Sequence, residues 1–169
     1  MLFLNQYTEM VVKYDLLNKF KYKNTQSIPK LEYIILNFNF NRGEVKMIIP
    51  VMAALKLITL QNSKITTSNV SNINFKIRKG QPVGCNLKLK KNRASNFLYI
   101  LLNNMLPKNK ILKLNGTMIS FKLNNSLIFY ELEKNYQFFK KLPVLNVHIK
   151  FSKCSNEEFK CLVKSYKLN

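Results

Sequence analysis

Two segments of this chain alternate strictly between apolar and polar residues. Val83, Cys85, Leu87 and Leu89 take turns with Gly84, Asn86, Lys88 and Lys90, and Leu145, Val147, Ile149 and Phe151 with Asn146, His148 and Lys150. Successive side chains of a strand point to opposite faces, so each segment predicts a half-buried strand with one face for a core. The other face is polar, and in the first segment it is basic. Residues 31–38, rich in β-branched and aromatic side chains, predict a third strand. At its end Asn37, Asn39 and Asn41 alternate with Phe38 and Phe40, which sets amides on one side and aromatic rings on the other.

Helical spacing takes over between these strands. Residues 6–20 place Tyr7, Met10, Val11, Tyr14, Leu17 and Phe20 on one predicted face. Residues 45–60 predict a second helix, with Pro50 accommodated near the start of its regular part, since proline suits a first turn. Residues 93–106 predict a third, with Asn92 as its N-cap and Pro107 as its stop. Ser155 followed by Glu158 is a capping box that opens a last helix through Tyr166. Short strands are predicted at 64–68 and 118–123, and residues 108–125, with Gly116, supply a loop before the second of them. Residues 71–80 are polar and basic and predict an extended, exposed loop or ribbon, with turn chemistry at Gly80, Gln81 and Pro82. No internal repeat interrupts this order. The length of 169 residues suits one domain or two small ones, and the interspersed helices and strands predict an α+β layer fold.

The charge of that domain restricts its partners. There are 28 Lys+Arg and 8 Asp+Glu, a net +20, which repels itself until counter-charge is supplied. Nucleic acid and an anionic membrane surface are the available polyanions. The longest apolar stretch, residues 47–60, contains Pro50, Lys56 and Thr59 and is too short and too interrupted to predict a membrane span. Around Gly80, Gln81 and Pro82 lie Lys76, Arg78, Lys79, Lys88, Lys90, Lys91 and Arg93, interleaved with amides and aromatics. Cations release counterions on meeting phosphates, and Asn side chains both donate and accept at bases and 2′-hydroxyls, so the cluster suits RNA.

Catalytic chemistry lacks its parts. The chain has one Asp and one His, and neither phosphate-loop, dinucleotide nor zinc-protease motifs. Glu131 and Glu133 read as a solvated face and His148 as an exposed or backbone-bonded residue on the polar side of its strand. A metal-dependent nuclease needs several carboxylates around its ions. Cys85, Cys154 and Cys161 lack the spacing of a zinc knuckle and are expected to be buried free thiols in a reducing compartment. No catalytic residue, metal site or cofactor is therefore expected. The first residues lack both the cleavage site of a secretory signal and the arginines of a presequence. The 25 Lys against 3 Arg, with 23 Asn and 3 Ala, reflect an AT-rich coding sequence.

The stretches Ser27-Ile28-Pro29-Lys30-Leu31-Glu32-Tyr33-Ile34-Ile35-Leu36-Asn37, Leu60-Gln61 before Ile65-Thr66, and Asn74-Phe75-Lys76-Ile77-Arg78-Lys79-Gly80-Gln81-Pro82-Val83-Gly84-Cys85 resemble, in order and spacing, the universal L-five family of large-subunit ribosomal proteins. The resemblance extends through Ser126-Leu127-Ile128-Phe129 and Glu131 to the last strand and capped helix. It implies a single L-five-like domain over residues 1–169, an antiparallel sheet with helices packed on one face, with an extended basic loop at about 71–81. It implies a structural constituent of the large subunit's central protuberance that binds 5S rRNA and neighbouring rRNA and contacts other proteins there. Its loop would approach P-site tRNA, and its outer surface would face a small-subunit head protein across an intersubunit bridge.

By matching position, Asn37 and Gln61 are candidate rRNA ligands, joined by the basic residues Lys64, Lys88, Lys90 and Arg93. Ser71, Asn72, Asn74, Lys76, Arg78 and Lys79 are the candidate tRNA-proximal residues. The chain departs from the family after Asn37, where Phe38-Asn39-Phe40-Asn41 precedes Arg42-Gly43-Glu44, and Gly116 is the one glycine left of a glycine-rich segment before Asn125. Lys88 and Lys90 stand where the family has Thr and Arg, so the bidentate fork of arginine is lost. Coding bias and the lack of a presequence point to an organelle-encoded protein in the mitochondrial matrix, with a plastid or an AT-rich bacterium as alternatives. An RNA-processing factor or another non-ribosomal RNA-binding protein is the alternative function.

Overall fold

The computed structural model describes residues 3–40, 45–105, 113–166 and 168. Its strands are β1 (Leu31–Asn39), β2 (Lys64–Thr67), β3 (Pro82–Lys90), β4 (Lys113–Asn115), β5 (Met118–Leu123) and β6 (Leu145–Phe151). They form one antiparallel sheet in the order β2-β3-β1-β6-β5-β4, with helices on one face, an α+β fold. The alternation read from the sequence sorts the two faces. Ile34, Leu36 and Phe38 of β1, Cys85, Leu87 and Leu89 of β3, and Leu145, Val147, Ile149 and Phe151 of β6 are all buried. Asn37, Asn86, Lys88, Lys90, Asn146, His148 and Lys150 between them keep solvent contact.

Contacts cluster the chain into two compact units. The first comprises Met1–Ile34, Leu89–Phe121 and His148–Asn169. It holds α1 (Phe3–Tyr7), a π-helical turn (Thr8–Val12), α2 (Lys13–Lys19), α4 (Lys91–Met105) and α7 (Asn156–Ser165). Helix α1 packs on α4 and α2 on α7. Phe151 meets the rings of Phe159 at 5.9 Å and Tyr166 at 5.7 Å, which seats α7 on the apolar side of β6. The second unit comprises Ile35–Lys88 and Lys122–Val147, where α3 (Ile48–Thr59) packs on α5 (Tyr130–Glu133) and α6 (Tyr136–Phe139). Val51, Ala54, Leu55 and Ile58 are its buried face, and Pro50 lies in its first turn as expected.

The N-terminal helix is found but its face is not the expected one. Leu4, Val12 and Leu16 are buried, whereas Met10, Val11, Tyr14 and Leu17 are exposed. A spacing of four residues drifts round an α-helix of 3.6 residues per turn. The wider π turn at Thr8–Val12 absorbs that drift and keeps residues 4, 8, 12 and 16 in line. Three further readings change. Helix α4 starts at Lys91 directly from β3, with Lys91 at φ 52°, so Asn92 is helical and not the cap. The stretch read as loop contains β4, paired antiparallel to β5 across a turn with Gly116 at φ 57°. Cys85 is buried, but Cys154 and Cys161 are half-buried. Asn41, the Arg42-Gly43-Glu44 segment and Pro107 lie outside the described residues.

The capping box is present as read: the Ser155 hydroxyl accepts from the Glu158 amide at 3.3 Å, and the Glu158 carboxylate from the Ser155 amide at 2.6 Å. Burial alone would raise the Glu158 carboxyl. The Ser155 amide and hydroxyl outweigh burial and hold it below its ordinary value. A carboxyl lowered by folding stabilises above its unfolded pKa and loses that contribution as pH falls through the folded value. Ser155→Ala is expected to cost about 1 kcal/mol in urea unfolding at neutral pH. Glu158→Gln should also destabilise at neutral pH, with its difference from the parent closing under acid titration.

Candidate nucleic-acid interface

On the second unit the open face of the sheet gathers three predicted residues, Asn37, Lys64 and Lys88, with Gln61 in the turn that leads to β2. Lys64 pairs with Asn86 and Thr66 with Gly84 across β2 and β3. On the other side of β3, the Phe40 amide donates to the Val83 carbonyl at 2.8 Å, an alignment that sets Asn39 opposite Gly84 and Asn37 opposite Asn86. Asn37, Asn86 and Lys64 therefore form one row across three strands, about 10 Å from end to end at ordinary strand spacing. Lys88, exposed, projects from the next row, beside Ile35. Gln61 is half-buried in the turn that leads from α3 to β2, just after Leu60 closes the helix in the left-handed region at φ 55°.

This row has an unmet need. The Asn37 side-chain oxygen is buried and has no hydrogen-bond partner, and the Ser63 hydroxyl, next to Lys64, is in the same condition. A buried polar atom without a partner costs about 1–3 kcal/mol, a cost that a donor from a bound molecule removes. Gly84 explains how the strands come close enough for this. A Cβ there would strike the Phe38 carbonyl oxygen and crowd Thr66 Oγ1 at 3.1 Å and Asn39 Oδ1 at 3.3 Å.

The first unit carries Lys90 and Arg93, both exposed, at the end of β3 and in the first turn of α4. Sequence reasoning missed two residues of this unit's open face. Lys150 donates from Nζ to Thr117 Oγ1 at 2.5 Å, and His148 Nδ1 shares a hydrogen bond with the Ser120 hydroxyl at 2.8 Å. His148 is thus bonded to a side chain and not, as expected, to backbone or solvent alone. Its position at alternate spacing with Lys150 in β6 was the available signal.

The loop candidates are brought together at one end of a narrow, ordered ribbon. The Ser68 amide donates to the Gln81 carbonyl and the Gly80 amide to the Ser68 carbonyl, both at 2.8 Å. Asn72 and Ile77 exchange backbone hydrogen bonds at 2.8 and 3.0 Å around a turn that includes Phe75. The Asn72 side chain accepts from the Asn74 amide at 3.0 Å, and the Gln81 side chain from the Arg78 amide at 2.8 Å. Lys76 sits in the left-handed region at φ 53°, a conformation that a lysine adopts only when its surroundings impose it. Ser71, Asn72, Asn74, Lys76, Arg78 and Lys79 are all exposed. So are Ile73 at 92% and Phe75 at 65%, which makes the tip apolar on a basic stem.

No family model matches the chain. Curated proteins do. It is 30% identical to the large ribosomal subunit protein uL5m of Reclinomonas americana over 98% of this chain and 96% of that one. It is 33% identical to the large ribosomal subunit protein uL5 of Geotalea uraniireducens over 89% and 88%. With that of Thermosipho melanesiensis it shares 37% identity over 75% and 78%.

The chain belongs to the uL5 family.

As a uL5 protein it is a structural, non-enzymatic constituent of the large ribosomal subunit. Burial pushes the Cys85 thiol above its ordinary value, and burial with the Glu158 carboxylate does the same to Cys154 against the opposing pull of Lys150. Among the described residues no three His, Cys, Asp or Glu side chains cluster as a metal site requires, and no helix is long and apolar enough to cross a membrane.

Two substitutions check this construction. Gly84→Ala is expected to destabilise by about 1–3 kcal/mol in urea unfolding, because the obstruction is backbone. Gln81→Ala should speed amide hydrogen exchange over residues 72–78 while leaving the melting temperature unchanged, since the ribbon contributes little to the core.

Proposed function

We propose that this uL5 protein binds 5S rRNA through the open face of its sheet, with Asn37, Gln61, Lys64, Lys88, Lys90 and Arg93 as the contacting residues. The observation that carries this is the row Asn37, Asn86, Lys64, in which a buried amide oxygen lacks a donor beside an exposed cation. Lysines meet phosphates at the rim while the amides and the Ser63 hydroxyl meet base edges and 2′-hydroxyls. Neighbouring rRNA extends the same contact.

The ribbon with Ser71, Asn72, Asn74, Lys76, Arg78 and Lys79 reaches P-site tRNA in this reading. Its internal hydrogen bonds support it, because a held loop presents its cations at lower entropic cost than a slack one. In the central protuberance the protein touches further ribosomal proteins, and its outer surface meets a small-subunit head protein. The ribosome concerned is that of a mitochondrion. Support comes from the Reclinomonas americana protein named uL5m and from the lysine- and asparagine-rich coding bias.

Filter binding to 5S rRNA over a series of salt concentrations tests the sheet-face assignment. Lys88→Ala with Lys90→Ala is expected to flatten the slope of log K against log salt by about 1–2 units. Asn37→Val should weaken binding with the slope unchanged, while the unfolding midpoint of the free protein stays level or rises, because an unpaired polar atom has been removed. Unaltered affinity and slope in both variants would refute the assignment.

A further inference from the structure

The N-terminal helix carries a second apolar face, which the first unit leaves in solvent. Leu4, Val12 and Leu16 are buried on its inner side, while Phe3, Met10, Val11, Tyr14 and Leu17 are exposed. Met10 is 74% and Tyr14 59% exposed, and four residues apart they form the crest of the outer face, with Val11 and Leu17 on its flanks. Helix α4 extends this surface, because the ring of Phe3 lies 6.0 Å from the exposed ring of Tyr99. A helix with one apolar side needs one neighbour, and a helix with two such sides needs a second. Contiguous exposed apolar side chains of this kind mark a contact surface, and Met, Tyr and Phe are the residues that protein interfaces favour at their centres.

Charge tells what kind of body can cover it. In a chain with 28 Lys+Arg, residues 3–18 hold one cation, the half-buried Lys13, and two of the 8 acidic residues, Glu9 and Asp15, both exposed. Glu9 precedes Met10 and Asp15 follows Tyr14, so the carboxylates border the crest on opposite sides. Residues 94–103 of α4, which include Tyr99, carry no charge at all. An RNA backbone meets no exposed cation on this face and two groups of its own sign. An isologous pair of this chain would set the face against its own copy, where the carboxylates find only the half-buried Lys13.

We infer that the outer face of the N-terminal helix docks another protein of the large subunit, one that presents an apolar surface bordered by lysine or arginine. Met10 and Tyr14 enter the apolar part, and Glu9 and Asp15 meet the basic border, which fixes the register of the contact. The inference rests on the reading that this chain touches further ribosomal proteins and assigns that contact a surface. It uses none of the residues proposed to meet RNA.

The test treats native large subunits with a water-soluble carbodiimide, which joins a carboxylate to a lysine amine in direct contact, and maps the linked peptides. Glu9 or Asp15 is expected to be joined to a lysine of another protein. Products from other carboxylates of this chain but none from these two overturn the inference and leave the broader reading standing, whereas no product joining this chain to any protein overturns both. Ultraviolet irradiation of the same subunits that links Met10 or Tyr14 to rRNA gives the face to RNA and overturns the inference. So does a dimer of the free full chain in sedimentation equilibrium that Met10→Ala with Tyr14→Ala dissociates. The protein identified by the carbodiimide product, purified, is then the titrant for variants. Met10→Ala with Tyr14→Ala should weaken its binding about 10-fold or more, and Glu9→Gln with Asp15→Asn should remove the salt dependence of the contact. Both variants should keep the melting temperature and the RNA affinity of the parent, because the altered side chains are exposed and lie outside the residues proposed to meet RNA. Parental affinity and salt dependence in both would refute the assignment.

Discussion

Burial of one side of the sheet is the constraint on which the remaining features depend. Alternate residues of β1, β3 and β6 are withdrawn from water, and each apolar side chain so buried contributes about 1.5–3 kcal/mol. Because the period of a strand is two, the intervening residues have no choice of side. Asn37, Asn86, Lys88, Lys90, His148 and Lys150 are carried to the open face as a consequence of where their neighbours must go. The proposed contacts fall where the core could not use the positions.

That arrangement leaves the isolated protein with liabilities. A net charge of +20 opposes compaction, and unpaired atoms at Asn37 and Ser63 add to the cost. A ribosomal protein works as one component of a much larger polyanion, and its stability belongs to that assembly. Ligand that binds only the folded chain stabilises it by mass action. In the proposed contact the features that weaken the free protein are those that RNA satisfies, and the amides of Asn37 and Asn86 share one row with Lys64.

The elements with a period of two, and those with explicit punctuation, were legible in the sequence. Strands β3 and β6, the Ser155 cap and the glycine turn at Gly80 need only local rules. The phase of the N-terminal helix was not legible, because Tyr7, Met10, Val11 and Tyr14 satisfy an α-helical stripe and nothing in their identity announces a π turn. Tertiary packing on α4 decided it. Strand β4 is three residues long and has too short a pattern to read. At the candidate interface, the lysines and the loop could be named from charge and resemblance. The unpaired oxygen of Asn37 and the bond from Lys150 to Thr117 depend on residues distant in the chain, which no local pattern contains.

The π turn has a meaning of its own for how this helix can change over time. An added residue in a helix rotates everything before it by about 100° relative to everything after it. The widened turn is such an addition already absorbed, and it is what holds Leu4 and Leu16 on a common line. Deleting any one of residues 8–12 would tidy the helix into a regular α form and swing Leu4 out of the apolar interior, replacing it with a neighbour of different size and polarity. The irregularity is therefore a record of register. Helix length, which most surface helices can gain or lose freely, is here tied to the shape of the space beneath it.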